Sequence, residues 1–128
     1  RFRPTPAQGP RIPVWVGGVL PAKAPMRRAA RWDAAVPIRF RDRVLERPSA
    51  QDIADVRDFV AAERGTAEGY DLVVWAEVAP DPNAVLDELP AYEASGATWW
   101  IETAKPEPDW YAGLRARIAQ GPDGARPN

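Results

Sequence analysis

The residues best suited to bind a charged ligand lie between two apolar runs near the amino terminus, in the segment RIPVWVGGVLPAKAPMRRAARWDAAVPI. Gly17 and Gly18 follow the first run. Three arginines follow on a predicted helix: Arg27, Arg28 and Arg31. Glycine has no Cβ, so its backbone can approach a ligand closely, and a helix start adds free N–H donors and partial positive charge. This pattern is typical of a phosphate site. The alternatives are a turn that requires positive φ, and arginines on a solvated helix face.

Few other residues can carry chemistry. The chain contains neither Cys nor His, which excludes disulfides, thiolate metal sites, histidine-based triads and most zinc chemistry. Glu77 and Glu102 end two apolar runs, where a carboxylate can bind substrate, hold an arginine or simply be solvated. We therefore expect no metal site, and we assign no catalytic residue from the sequence.

The charge is unevenly distributed although the net charge is only −1. Residues 1–47 hold 11 of the 17 basic side chains and 3 of the 18 acidic ones. A basic half favours an anionic ligand. Nucleic acid is not expected, because no binding motif or interleaving of aromatic and basic residues is present. No apolar run approaches the roughly 20 residues of a membrane span and no signal peptide is visible, so we expect a cytoplasmic protein without membrane contact.

These residues lie on elements that alternate between strand and helix. Short apolar runs predict four strands, at 12–16, 34–38, 71–77 and 97–102. Caps and apolar residues at helical spacing predict four helices, at about 25–32, 50–63, 82–95 and 109–119. Ser49 and Asp52 have the spacing of a capping box. The charged residues 39–48 are interpreted as a loop, and Pro90 is expected to kink the third helix.

Alternation of buried strands with amphipathic helices indicates an α/β fold with a parallel sheet covered by helices. Two architectures fit: half of an eight-stranded (β/α)8 barrel, or a small doubly wound sheet. Four βα units in 128 residues are about half of a typical ~250-residue barrel. We expect one partial domain over residues 1–128, with an amino-terminal loop at 1–10 and a carboxyl-terminal tail at 121–128.

The ordered series PVWVGG, PAKAPMRRAARWDAAVP, DLVVWAE and GATWWIE resembles the C-terminal half of the luciferase-like flavin-dependent oxidoreductases, a family that includes F420-dependent enzymes. The resemblance covers roughly residues 10–120. It implies four consecutive βα units of a (β/α)8 barrel with FMN or F420 bound at its carboxyl-terminal mouth. The implied activity is that of an oxidoreductase or monooxygenase acting on a small organic substrate.

The resemblance also implies which residues line the cofactor: Val16, Gly17, Gly18, Lys23, Arg28 and Ala34. Lys23 and Arg28 are the implied phosphate ligands. One departure affects Ala34: relatives often carry glycine after the aspartate that corresponds to Asp33, whereas alanine follows it here, and a Cβ limits how closely a ligand can approach the backbone. Some relatives use a histidine from the other half of the barrel, and this chain has none.

A half-barrel leaves two sheet edges and an apolar inner face uncovered. We therefore expect a homo-oligomer or pairing with a missing half-barrel. The alternative function is a non-catalytic half-barrel module that is stable only as an assembly. Four tryptophans lie in predicted strands and are expected to pack in the core: Trp15, Trp75, Trp99 and Trp100. Since strand side chains alternate, Trp99 and Trp100 must point to opposite faces.

Overall fold

The computed structural model describes residues 7, 9, 11–77, 82–103 and 110–120. Within these ranges the chain forms five strands: β1 (Trp15–Val19), β2 (Ala34–Arg41), β3 (Val44–Glu46), β4 (Asp71–Glu77) and β5 (Trp99–Thr103). It also forms four helices: α1 (Lys23–Ala29), α2 (Ala50–Arg64), α3 (Pro82–Ser95) and α4 (Trp110–Gln120). None of the helices in these ranges combines the length and apolar character needed to cross a membrane.

The sheet is mostly parallel, and its parallel strands follow chain order. β1, β2, β4 and β5 lie side by side in that sequence, and β3 pairs with β2 in the antiparallel sense. Ala34 is the register partner of both Trp15 and Asp71, while Val73 is the partner of Trp99. The predicted α/β class with a parallel sheet is therefore confirmed.

Helices α1, α2 and α3 form a layer on one face of this sheet. α2 contacts both α1 and α3, and the main core lies between this layer and the strands. The buried core residues are Met26, Ala29, Ala30, Ala35, Ile53, Val56, Val60, Tyr70, Leu72, Val74 and Tyr92. The predicted capping box is also confirmed, since the Ser49 hydroxyl accepts from the Asp52 amide and the Asp52 carboxylate accepts from the Ser49 amide.

The opposite side of the sheet, here called the open face, consists of the alternate strand positions: Trp15, Gly17, Val19, Ala34, Val36, Ile38, Phe40, Val73, Trp75, Trp99 and Ile101. The Trp15 and Trp99 rings meet with centroids 5.3 Å apart, although β2 and β4 separate their strands. Ala34 and Val73 are fully buried between them. Two large indoles therefore meet above two smaller side chains on the open face.

Trp99 lies on the open face, whereas Trp100 packs against the helix-side core beside Tyr92. This confirms the predicted divergence of the two tryptophans. The expectation that all four strand tryptophans are core residues is wrong for Trp15 and Trp99, which remain exposed. Their alternate positions place them on the open face, away from the helix layer.

Two local predictions are wrong. β1 begins at Trp15 and ends at Val19, so the glycine pair lies within the strand and does not close it. The segment 39–48 is not simply a loop, because β2 continues to Arg41 and turns through Asp42 and Arg43 into β3. Both turn residues have positive φ, 51° and 67°, a conformation that glycine or asparagine normally signals in a sequence.

Pro90 lies inside α3, and the helix continues beyond it to Ser95. Gly65 has positive φ and caps α2, where its N–H donates to the Ala61 carbonyl. Most of the predicted amino-terminal loop and all of the predicted tail at 121–128 fall outside the described residues.

Candidate functional site

The carboxyl ends of the parallel strands share one edge of the sheet, and a cleft opens there between β4 and the β2–β3 hairpin. This mouth cleft has a volume of about 250 Å³ and is lined by Leu45, Glu46, Arg47, Trp75, Ala76 and Glu77. It combines an aromatic wall, two carboxylates and one guanidinium. Such a set can orient a polar or planar ligand. The described lining contains no hydroxyl or thiol nucleophile, so the cleft is suited to binding.

Arg47 is the cation of the mouth cleft and is held by contacts to α3 and β5. Its guanidinium forms an ion pair with Glu88 and lies 5.2 Å from the ring centroid of Trp100 and 5.6 Å from that of Tyr92. Cation–π contacts of this kind are stabilising, more so when desolvated. Arg47 therefore provides a positive charge in a restricted position at the mouth.

Tyr92 also holds the chain next to Arg47 in place. Its hydroxyl donates to the Pro48 carbonyl at 2.8 Å, which ties α3 to the residue after Arg47. Burial raises the pKa of Tyr92 above its ordinary value, although a tyrosine hydroxyl is a donor at neutral pH even without this shift. This link fixes the chain that leaves β3.

A second cavity, of about 230 Å³, lies between α1 and α2, and we call it the α1–α2 cavity. Its lining is mostly apolar, with one lysine and two aspartates: Leu20, Pro21, Ala22, Lys23, Met26, Asp52, Asp55, Val56 and Phe59. Asp52 is engaged by Arg39 at 2.8 Å and by Ser49. The predicted phosphate ligand Lys23 therefore lies in the α1–α2 cavity beside Asp52 and Asp55, and not in the mouth cleft.

The two glycines of the predicted site lie on opposite faces of β1. Gly18 is buried beneath α1, where an added Cβ would stand 2.1 Å from Met26 Cε and 2.8 Å from Pro25 Cβ. Its missing side chain is thus what lets α1 approach the strand. Gly17 is exposed on the open face, where an added Cβ would meet only Ile38 Cδ1, at 3.4 Å.

The other predicted site residues are also dispersed. Val16 packs against the helix-side core, whereas Ala34 is fully buried on the open face. Arg28 is exposed on α1, and the neighbouring Arg27 pairs with Glu63 of α2 at 3.0 Å. The structure therefore does not bring the six residues into one concavity. Among them, Gly17 is the residue whose exposed backbone lies on the face that leads to the mouth.

The carboxylates predicted at strand ends are separated by strand alternation. Glu77 is the last residue of β4 and lines the mouth cleft. Glu102 is the register partner of Ala76, next to Glu77, and therefore points to the other side of the sheet. Arg47 and the hairpin were missed because the charged run 39–48 was interpreted as a loop. The signals that could have indicated the hairpin were the alternation of Ile38 and Phe40 with arginines and the apolar pair Val44 and Leu45.

The amino-terminal end of the sheet carries a separate polar cluster around Asp33. Its carboxylate accepts from the guanidinium of Arg11 and from the Val14 amide, the latter at 2.7 Å. Its carbonyl accepts from the Asp71 amide at 3.1 Å. The hydrogen bonds from Arg11 and then Val14 lower the pKa of Asp33. Asp33 thus joins the segment before β1 to β2 and β4.

Comparisons with known protein families, with curated proteins and with solved structures find no match for this chain.

Proposed function

We propose that this chain is part of a luciferase-like oxidoreductase or monooxygenase that uses FMN or F420, and that its sheet is half of a (β/α)8 barrel. The observation that carries the proposal is the parallel strand order β1-β2-β4-β5, with α1, α2 and α3 in one layer. In a barrel each strand follows the previous one and the helices lie outside. In a doubly wound sheet the order reverses and helices lie on both faces.

The proposed site begins at the mouth cleft and extends along the open face to Gly17. In this proposal Trp75 provides an apolar wall and Arg47 a positive charge for an anionic part of the cofactor, while Gly17 leaves backbone accessible. The cleft, at about 250 Å³, is smaller than the roughly 300–1,000 Å³ of complete cofactor pockets. These residues therefore fit one part of such a cofactor, and further chain must complete the pocket.

The bound flavin or deazaflavin would supply the redox chemistry, and the protein would supply binding and orientation. Within that division Arg47 is suited to hold charge and not to transfer protons, because guanidinium stays protonated in proteins. Glu77 and Glu46 are the carboxylates that would meet the polar edge of a ligand in the cleft. No residue is assigned a catalytic step.

Titration of the chain with FMN and with F420, followed by the fluorescence of the cofactor, tests the proposal. Gly17→Val adds a branched side chain on the open face and should weaken binding by roughly tenfold, about 1.4 kcal/mol. Gly17→Ala, which adds a single methyl group, is the matched variant and should weaken binding less. Failure to bind either cofactor by the assembled protein, in which further chain completes the pocket, would contradict the proposal.

Arg47 and Arg28 are the two candidate ligands for the anionic group of the cofactor, and the same titration shows which of them binds it. Arg47→Ala should weaken binding more at low than at high ionic strength, because salt screens charge–charge attraction. Arg28→Ala should have little effect if Arg28 is a solvated helix residue, and a salt-dependent effect if it meets the phosphate, as the resemblance implies. Equal affinity in wild type and both variants would remove these arginines from the site.

The second candidate is a non-catalytic half-barrel module. It is favoured by the exposure of Trp15 and Trp99, since exposed aromatic side chains often mark interaction surfaces. A stable oligomer that binds neither FMN nor F420 would support this candidate over the enzyme.

A further inference from the structure

The open face carries a patch of exposed large apolar side chains: Trp15 is 36% exposed, Val19 40%, Phe40 51% and Trp99 50%. Since an aromatic side chain has about 150–250 Å² of surface, these four leave roughly 300–400 Å² exposed on one face. The largest apolar patch on a typical monomer covers about 300–600 Å² and is often functional.

The two outer strands of the parallel path are also suited to further pairing. Within the described chain, β1 pairs only with β2, and β5 only with β4. Both strands have five residues and run in the same direction. β1 contains neither a charged residue nor proline, the features with which natural proteins protect strand edges.

We propose that a second copy of this chain binds the open face and both edges, related by a two-fold axis along the strand direction. This operation places β5 of each copy beside β1 of the other, in the parallel sense. The path contains four strands per copy, so two copies supply the eight that close a (β/α) barrel. A closed two-fold arrangement leaves no parallel edge unpaired.

A second copy fits better than an unrelated surface because it offers strands of the same length and direction at both edges, together with a matching apolar face. The two patches together provide roughly 600–800 Å², and the half-buried neighbours and paired edges bring the total toward the ~1,200 Å² at the lower end of specific interfaces. The expected dimer is therefore of moderate affinity. The inference rests on the barrel arrangement of the proposed function, but it requires no cofactor.

Size-exclusion chromatography with light scattering, from about 1 to 100 μM chain, tests the dimer; midpoints in this range correspond to moderate affinity. The expected mass at the upper concentrations is twice the 14.1 kDa of the chain. Trp99→Lys places an ammonium group in the proposed interface and should raise the dissociation constant at least tenfold. Trp32→Lys is the matched control, because Trp32 is 42% exposed in the turn between α1 and β2, outside the strands.

Phe40→Lys is a second interface variant, independent of the Trp15–Trp99 contact, so a folding defect in Trp99→Lys does not end the test. Hydrogen exchange gives the docking mode, since β1 and β5 amides should both become protected as the dimer forms. A monomer at every concentration, a dimer unaffected by both variants, unprotected edges, or open-ended assemblies would overturn the inference. A dimer that behaves as expected but binds no flavin supports it and contradicts the proposed function alone.

Discussion

Gly17 and Gly18 are neighbours in β1, yet substitution by alanine should have opposite effects on stability. At Gly18 the new Cβ would stand 2.1 Å from Met26 Cε and 2.8 Å from Pro25 Cβ. Met26 is flexible and lines the α1–α2 cavity, so its methyl group can give way, but the Pro25 ring cannot rotate away from the new Cβ. At Gly17 the new Cβ would make an ordinary contact with Ile38.

The magnitudes follow from two competing terms. Overpacking a filled core costs about 1–3 kcal/mol, whereas replacing glycine by alanine in a compatible conformation stabilises by about 0.4–1 kcal/mol through the unfolded chain. Neither glycine has positive φ, so alanine at either position gains the stabilisation that comes from the unfolded chain. Only alanine at Gly18 also incurs the cost of overpacking. We expect Gly18→Ala to lower the free energy of unfolding by about 1–2 kcal/mol, and Gly17→Ala to leave it unchanged or raise it slightly.

Urea denaturation of both variants, followed by tryptophan fluorescence and by circular dichroism at one chain concentration, measures the difference. Adding Met26→Ala to Gly18→Ala should cost less than the sum of the two single changes, because both act on one contact. Equal midpoints for the two glycine variants, or additive effects with Met26→Ala, would refute the assignment of Gly18 to helix packing.

Four further predictions concern stability, at Tyr70, Ser49 and Asp33. The Tyr70 hydroxyl is buried without a hydrogen-bond partner among the described residues, so Tyr70→Phe should raise the free energy of unfolding by about 1 kcal/mol in urea denaturation. Burial raises the pKa of Tyr70 to about 12, whereas an unfolded tyrosine titrates near 10. The stability of the wild type is therefore expected to fall from pH ~10 toward 12. Over this range the melting temperature of Tyr70→Phe should fall less than that of the wild type. Ser49→Ala removes one half of the capping box and should cost about 1 kcal/mol in urea denaturation, with a smaller loss for Ser49→Thr. The lowered pKa of Asp33 contributes stability above the ordinary aspartate pKa and loses it as the pH falls through the lowered value, so acid melts of Asp33→Asn should show a flatter pH dependence than wild type.

The sequence predicted elements best where one local pattern determines them. The β4 bounds were predicted correctly because the apolar centre of DLVVWAE is flanked by a glycine region and an acidic end. α2 was predicted because Ser49 and Asp52 mark its start and Ile53, Val56 and Val60 form its buried stripe. Each signal lies within the element, so no distant contact was needed to interpret it.

The hairpin was missed because it is held by ion pairs that the sequence does not reveal and because its turn has an unusual sequence. Arg39 of β2 pairs with Asp52 of α2, and Arg41 pairs with Glu46 across the hairpin. The charged residues of this run do not reveal, in sequence alone, that they form pairs of this kind. The turn through Asp42 and Arg43 also lacks the glycine that would have revealed it.

The glycine pair shows why site prediction was harder than fold prediction. A missing Cβ has the same sequence signature whether a ligand or a helix occupies the space, and only the alternation of β1 decides between them. Because Gly18 faces α1, Gly17 must face the other side. Which of the two glycines can meet a ligand therefore depends on the face of β1 to which each position points. The sequence prediction placed the start of this strand three residues early.

The two ends of the sheet differ in ways that bear on where a ligand can bind. At the amino-terminal end, Asp33, Arg11 and Arg64 are used in contacts within the chain: Arg64 donates to the Ala30 and Trp32 carbonyls and lies 5.0 Å from the Tyr70 ring centroid. At the carboxyl end, Arg47 is fixed beside an open cleft.

In the proposed two-fold dimer all parallel strands end on the same side, so the mouth clefts of both copies would open at one mouth of the barrel. Their combined volume, twice about 250 Å³ or about 500 Å³, lies within the ~300–1,000 Å³ of cofactor pockets. Pairing of two copies would thus supply the part of the pocket that one described chain lacks.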